Sequence, residues 1–578
     1  MKKWVKAVII VAVLVVLAAA AVGVMYKLYR AGNPAMHTLK EKVYNVLYIM
    51  QTEKFDGGTE GIEGDYTSLW YENGQPANDD RNMKKADVKQ VIEHSGGTRL
   101  INYPKGYYVD MPAGTEFDFT LAPLYVTAEG DGFTAVISRE WSTESDVDYY
   151  INHYQNRFAV NEAYLAANGL TLLEESSPDG GPKKVTVLIE NLADGYDTYT
   201  YAFVQTGTQV YFRMMFKYNF ENYEEMSADI DAAVESFKSF SPVGTDHSGF
   251  AAFPVLPDNW TDDTRAVYDS LMNTDSIYWG VFCSDIYNAG INKSLPELEN
   301  ALDFDFKIVL AYKHFGDEFP VDFMRRCYDD GKLTELTYQI TSNNNEDMYA
   351  ATPMLDIYRG LLDEDIREFA RGAREFGKPF FFRLNNEMNS DWTSYSGIIN
   401  MSDPDIYKAV WQRIYRIFEQ EGATNAIWVF NPNNDSYPPS DWNSFLAYYP
   451  GDEYVQVIGV TGYNTGTYYA DVTGESWKGF VQIYDRIENS YGEYFGAFPW
   501  MITEFASSSV GGDKAEWIAE MFDNLKNYPN IKAAVWFDSA DYDPSSPGKV
   551  SRPYWIMETP ETTAAMKAGL SEYKDTKW

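Results

Sequence analysis

Beyond about residue 275 the chain alternates between two hydrophobic periods. Short apolar runs occupy 278–283, 306–312, 333–340, 380–384, 426–430, 455–460, 500–503 and 531–537. Between them lie longer stretches with apolar residues every three or four positions, at 295–302, 321–328, 364–376, 405–419, 477–491 and 515–525, and a last one at 562–573. Short continuous runs suit strands covered on both faces, and the longer periodic stretches suit amphipathic helices. Strands alternating with helices imply parallel βαβ units. Eight such units in about 300 residues predict a (β/α)8 barrel over 261–578. The fold class expected is therefore α/β.

Upstream the pattern differs. Residues 40–240 hold strand-like runs at 106–111, 133–138, 184–189, 198–205 and 209–216, the last two separated by Thr206-Gly207-Thr208, a hairpin signal. Helical patterns at 144–157 and 223–240 accompany them, which predicts a smaller α+β domain. Its opening Tyr103-Pro-Lys-Gly-Tyr-Tyr108 and its closing helix ending Ser236-Phe237 loosely resemble PsbP/Mog1-like domains, a likeness that implies no chemistry. The expected role is a spacer or accessory domain. Residues 241–260 carry three prolines with Gly and Ser and read as a linker. On that reading the barrel folds and acts without what precedes it.

Residues 1–30 contain a stretch at 7–26 that is free of charge and dominated by Ala, Val, Ile and Leu. That length matches the ~20 residues a helix needs to cross a bilayer. Lys2, Lys3 and Lys6 precede it and orient the remainder outward. A single-pass anchor is the expectation, with a cleaved secretion signal as the alternative.

Composition narrows the chemistry. With 85 acidic against 47 basic residues, the net charge of −38 repels polyphosphate, so nucleic acid is not an expected partner. The two cysteines, Cys283 and Cys327, make neither a disulfide scaffold nor a metal-binding spacing. No cofactor is required by anything in the sequence.

Two glutamates stand out. Glu387 closes the run that begins at Pro379, and Glu504 closes the run that begins at Pro499. In a parallel barrel both would emerge at the rim formed by the strands' carboxyl ends, where such folds carry their chemistry. A pair of carboxylates there is what glycoside hydrolysis needs.

The surrounding motifs sharpen this. Arg383-Leu-Asn-Asn-Glu387-Met-Asn-Ser-Asp-Trp392, Trp428-Val-Phe-Asn-Pro432 and Gly462-Tyr463-Asn464 resemble glycoside hydrolase family 26, whose best-known members are endo-β-1,4-mannanases. The likeness covers roughly 275–575. It implies a retaining, endo-acting enzyme on a β-linked polysaccharide or oligosaccharide, with Glu387 as acid/base and Glu504 as nucleophile. It further implies that Arg383 supports the acid/base region, that Tyr463 bonds the nucleophile, and that Trp392 and Trp536 touch sugar. Asn386 stands where most of that family has His, which draws the preference for mannan into question and keeps β-glucan and β-xylan open. His314, just past the second run, is a further rim candidate. The rival from another class is a non-catalytic, membrane-tethered carbohydrate-binding protein.

Overall fold

The computed structural model describes residues 71–72, 75–76 and 89–578, apart from 145, 179–180, 241, 243 and 342–346. The expected membrane segment at 7–26 lies outside the described residues. Among those described, no helix is long and apolar enough to cross a membrane.

The second half is a closed barrel of eight parallel strands. They are β1 (Tyr278–Cys283), β2 (Ile308–His314), β3 (Leu333–Gln339), β4 (Phe380–Leu384), β5 (Ala426–Phe430), β6 (Val457–Thr461), β7 (Trp500–Phe505) and β8 (Ile531–Asp538). Each is one of the eight apolar runs, and each run is apolar because both faces are covered. Phe381, Ile427, Val429, Val457, Met501 and Val535 fill the barrel interior. Their strand neighbours Phe380, Phe382, Trp428, Ile502 and Trp536 pack outward under the helices. Beneath the barrel, Trp578 lies parallel to Tyr278 with ring centroids 3.7 Å apart. Cys283 and Cys327 are buried and unpaired.

Among the described residues, the first half holds a two-strand pairing of Tyr71–Glu72 with Gln75–Pro76 and two larger antiparallel sheets. Seven strands run in the spatial order Glu116–Asp118, Tyr125–Gly130, Phe133–Trp141, Val210–Tyr218, Thr198–Gln205, Lys183–Ile189 and Leu170–Ser176. Four more, including Gly97–Asn102 and Tyr107–Met111, form the second sheet. The strand Val210–Tyr218 is buried at every position, and its alternation explains why. Phe212, Met214 and Phe216 face the second sheet and the helix Tyr223–Ser236. Tyr211, Arg213, Met215 and Lys217 turn the other way, onto the barrel.

That second contact bears on the expectation of an independent barrel, because it packs the first domain against the barrel rim. Tyr164 and Tyr201 donate through their hydroxyls to the carbonyls of Ile399 and Met401. Arg213 donates to the Ser402 carbonyl at 2.8 Å and lies over the rings of Tyr201 and Trp442. Lys217, buried, reaches Asp403 at 3.2 Å and also pairs with Asp405. Glu140 accepts the backbone N–H groups of Asp441 (2.8 Å) and Trp442 (3.3 Å). These partners sit in the loops that follow β4 and β5, or for Asp405 in the first turn of the helix Pro404–Glu421, at the rim where the sequence placed the chemistry. The described residues 244–260 of the expected linker are no free tether either, since Phe250 packs on Tyr449 and Phe495 and Ala252 is buried against the barrel. Apolar residues of both halves belong to one continuous core.

Removing one partner of a buried ion pair leaves the other charge uncompensated, at a cost of about 3–5 kcal/mol. Lys217→Met should therefore lower the stability of the whole chain by about 3 kcal/mol. Thermal denaturation should show this as a single transition moved down, because the two halves share a core. Two separate transitions, with only the first one moved, would show that the halves unfold independently.

Candidate active site

The site is organised by a guanidinium. On β4, Phe381 and Arg383 point into the barrel while Phe380, Phe382 and Leu384 point outward. Arg383 is fully buried, so every donor must find a protein partner. Its Nε donates to Thr337 Oγ1 at 2.6 Å and its Nη1 to Asn431 Oδ1 at 3.1 Å. Its Nη2 donates to Tyr312 Oη at 3.1 Å and to Glu504 Oε2 at 2.9 Å. Room for Asn431 beside it depends on Gly459 of β6, where a Cβ would come within 2.7 Å of the Asn431 Cβ.

Three donors converge on Glu504, at the rim end of β7. Arg383 is one. The others are the Tyr463 hydroxyl, 2.6 Å from Oε1, and the Tyr312 hydroxyl, which binds Oε2. Burial, with the negative charge of Glu504 alongside, raises both phenols well above their ordinary range. They therefore stay protonated and serve Glu504 as donors. Both of its oxygens are thus engaged as acceptors.

Glu387 has a different environment. Its Oε1 accepts from Asn433 Nδ2 at 2.9 Å. Burial first, then the charge of Glu504, pushes its carboxyl up to about 8, against the opposing pull of Arg383 and the Asn433 hydrogen bond. Its backbone is unusual, with φ of +59° in the left-handed region that disfavours a side chain. The conformation is held by its own N–H, which donates to the Asn431 carbonyl at 2.7 Å, and by its carbonyl, which accepts from Ser390 N–H at 3.0 Å. Asn385, with φ of +47°, begins the same turn, and its Oδ1 caps Ile340 N–H at 2.7 Å. One carboxyl kept neutral and one used as an acceptor, each within the field of the other, is the division that acid/nucleophile chemistry requires.

The remaining sequence candidates separate. Asn386 is buried, and its Oδ1 accepts from Gln339 (3.0 Å) and Tyr395 (3.2 Å), which turns its Nδ2 into the end that can meet a ligand. Trp392 is 46% exposed at the tip of the loop after β4, its ring 5.9 Å from that of Tyr437. His314 is half-exposed at the end of β2 and faces Asp317, 3.7 Å away, rather than a glutamate. Trp536 is a correction. It is fully buried, donates its Nε1 to the Tyr554 carbonyl at 2.9 Å and packs on Phe505 and Trp517, so it is a core residue and touches no sugar. The strand's alternation sends it outward and brings Phe537 to the barrel mouth instead, stacked on Phe282 and edge-on to Tyr463.

Sequence reasoning missed Tyr312, Asn431, Asn433 and Glu335. The signal for the β3 group was present, since Glu335, Thr337 and Gln339 recur at every second position of a buried strand, which puts all three polar side chains inside. Glu335 is fully buried 3.1 Å from Arg383 Nε, yet that N–H is given to Thr337, and neither Glu335 oxygen has a hydrogen bond. Burial and the nearby charge of Glu504 therefore push Glu335 up to about 8, although Arg383 pulls the other way. Among the described residues, no cluster of three or more His, Cys, Asp or Glu side chains could hold a metal ion.

Residues 329–506 match the model of Glycosyl hydrolase family 26. The matched segment contains Glu335, Arg383, Glu387, Asn433, Tyr463 and Glu504. Among curated proteins, Endoglucanase H of Acetivibrio thermocellus is 34% identical over 215 residues, covering 36% of this chain and 22% of that protein. A mannan endo-1,4-beta-mannosidase of Bacillus subtilis is 25% identical over 164 residues, covering 24% and 42%. The chain thus spans well under half the length of the curated relatives it matches. Of solved structures, a modular endo-beta-1,4-mannanase from Cellulomonas fimi is similar, at 14% identity and a TM-score of 0.41, with 57% of this chain and 80% of that one covered.

Glu335 is neutral up to about pH 8 in the fold but ionises above its ordinary 4.5 in the open chain. Between those values the unfolded chain binds fewer protons, so the contribution of Glu335 to stability is complete below 4.5 and is lost as pH rises towards 8. Glu335→Gln abolishes that loss. The melting temperature of the variant should exceed that of the parent at pH 8, by a margin worth ~1 kcal/mol or more, and the gap should close towards pH 5. A gap independent of pH would mean that Glu335 is ionised throughout.

Proposed function

We propose that this chain is a retaining, endo-acting β-glycoside hydrolase whose substrate is a polysaccharide of the β-1,4-mannan type. The observation that carries the reading is the asymmetry of the two carboxyls. Glu387, kept protonated by burial, can give its proton to the leaving glycosidic oxygen. Glu504, aligned by Tyr312, Tyr463 and Arg383, can attack the anomeric carbon. Forming the glycosyl ester removes the charge of Glu504, which in turn allows Glu387 to release its proton. Glu387 then takes a proton from the water that opens the ester. Support for the family comes from the match over 329–506.

β-1,4-Glucan is the second substrate to test, because one similar protein bears the name Endoglucanase H and because Asn386 holds the position before the acid. Reducing-sugar release from mannan, glucan and xylan decides among them, and no release from any would leave a carbohydrate-binding protein. An exported, membrane-anchored body would meet such polymers outside the cell; protease shaving of intact cells should then release the barrel.

Azide separates the two roles. With an aryl glycoside whose leaving group needs little acid help, Glu387→Ala should form the glycosyl-enzyme and stall, and azide should restore turnover to give the β-azide. Glu504→Ala should instead give the α-azide, because azide enters the space the nucleophile vacates. The reverse pattern would exchange the assignments. In the parent enzyme, kcat/KM on a natural glycan should fall as pH rises through about 8, because there Glu387 loses the proton it must donate. A profile flat to pH 10 would remove Glu387 from the acid role.

A further inference from the structure

The first domain reaches the rim at a second place, and there it presents aromatic rings to solvent. Its helical segment Val147–Gln155 buries Val147, Tyr150 and Ile151 and leaves Asp148, Tyr149, Asn152 and His153 on the outer face. Tyr149 is 53% exposed and lies parallel to His153, the centroids 5.4 Å apart. One turn on, Arg157 lies over the ring of Tyr349, in the loop after β3, and donates to its hydroxyl at 3.2 Å.

This face adjoins the loop that carries Glu387. The buried Tyr150 of the same helical segment has its hydroxyl 3.4 Å from Ser440 Oγ, in the loop after β5 that also carries Tyr437, and Arg157 and His153 both act electrostatically on Asp391, the neighbour of the exposed Trp392. Tyr437, also 46% exposed, completes the Trp392 platform, and its own N–H donates to the Asn389 carbonyl at 2.8 Å, two residues past Glu387. The helical segment that carries Tyr149 and His153 thus bridges the loops after β3 and β5, beside the loop that carries Trp392. Exposed flat rings offer C–H groups of a pyranose a π face, and Asn, Arg and Asp side chains beside them offer donors and acceptors to its hydroxyls.

We propose that Tyr149, His153 and Asn152 form a distal sugar subsite, in which the first domain holds a part of a β-linked glycan chain that extends beyond Trp392 and Tyr437. The proposal rests on the reading of the barrel as a β-glycanase. The occupant is a glycan because the segment stands beside the loop of the Trp392 platform and presents exposed aromatic rings with hydrogen-bonding side chains next to them. The domain is then neither a spacer nor a separate binding module but one wall of the cleft.

The test compares chain lengths. kcat/KM is measured on a soluble polymer and on a short aryl glycoside for the parent, for Tyr149→Ala/His153→Ala, and for Phe220→Ala, an exposed aromatic elsewhere on the same domain. The ratio of polymer to short-substrate kcat/KM should fall about three- to tenfold in the double variant, and Phe220→Ala should keep the parental ratio. Both altered side chains are solvent-facing, so the double variant should keep the parental melting temperature. Parental ratios in the double variant would overturn the subsite while leaving the enzyme reading intact. Failure of the parent to cleave either substrate would overturn the enzyme reading, and the subsite with it.

Discussion

A permanently charged guanidinium inside a barrel is the constraint to which the rest of this structure answers. Burial works against the charge of Arg383, and the Glu504 carboxylate hydrogen-bonded to its Nη2 offsets that cost. Its planar fork then fixes where those groups can stand. Thr337 takes Nε, Asn431 takes Nη1, and Nη2 is shared by Tyr312 and Glu504. Strands β2, β3, β4 and β7 and the start of the loop after β5 are thereby tied at one depth. Lysine, a point charge without a fork, could not hold that register.

The same guanidinium accounts for the opposite fates of three carboxyls. Glu504 has a geometric hydrogen bond from Arg383 and two phenols besides. Glu335 is as near to the charge but receives no hydrogen from it, and burial keeps its proton on. Glu387 lies further along the rim, with one amide donor, and also stays neutral into the range near 8. Direction of donors, more than distance to charge, sorts these groups.

Much of this was legible in the chain, and the reasons for the rest are physical. Strands sealed on both sides must be apolar, so all eight barrel strands could be found by pattern. A glutamate closing such a strand is conspicuous, so Glu387 and Glu504 could be found as well. Trp536 was misplaced because a run apolar at every position conceals which residues face inward; the register shifts between β7 and β8 make the count harder still. Tyr312 looked like one more aromatic in a chain that has 45 tyrosines. Asn433 lies past the strand in a loop, where no periodicity applies. The packing of Arg213 and Lys217 against the Ser402–Asp405 segment joins residues almost 200 positions apart, a relation that local pattern does not encode.

The left-handed backbone at Glu387 has a consequence for how such a protein ages in evolution. A residue with a Cβ held at φ of +59° stores on the order of 1 kcal/mol of strain, which glycine or asparagine would relieve. Burying an acid there adds to the load. Mutational drift without selection for turnover would thus find a more stable chain by discarding the side chain proposed as the acid. On the proposed function, a lineage that ceased to need the reaction could replace Glu387, gain stability and keep its barrel.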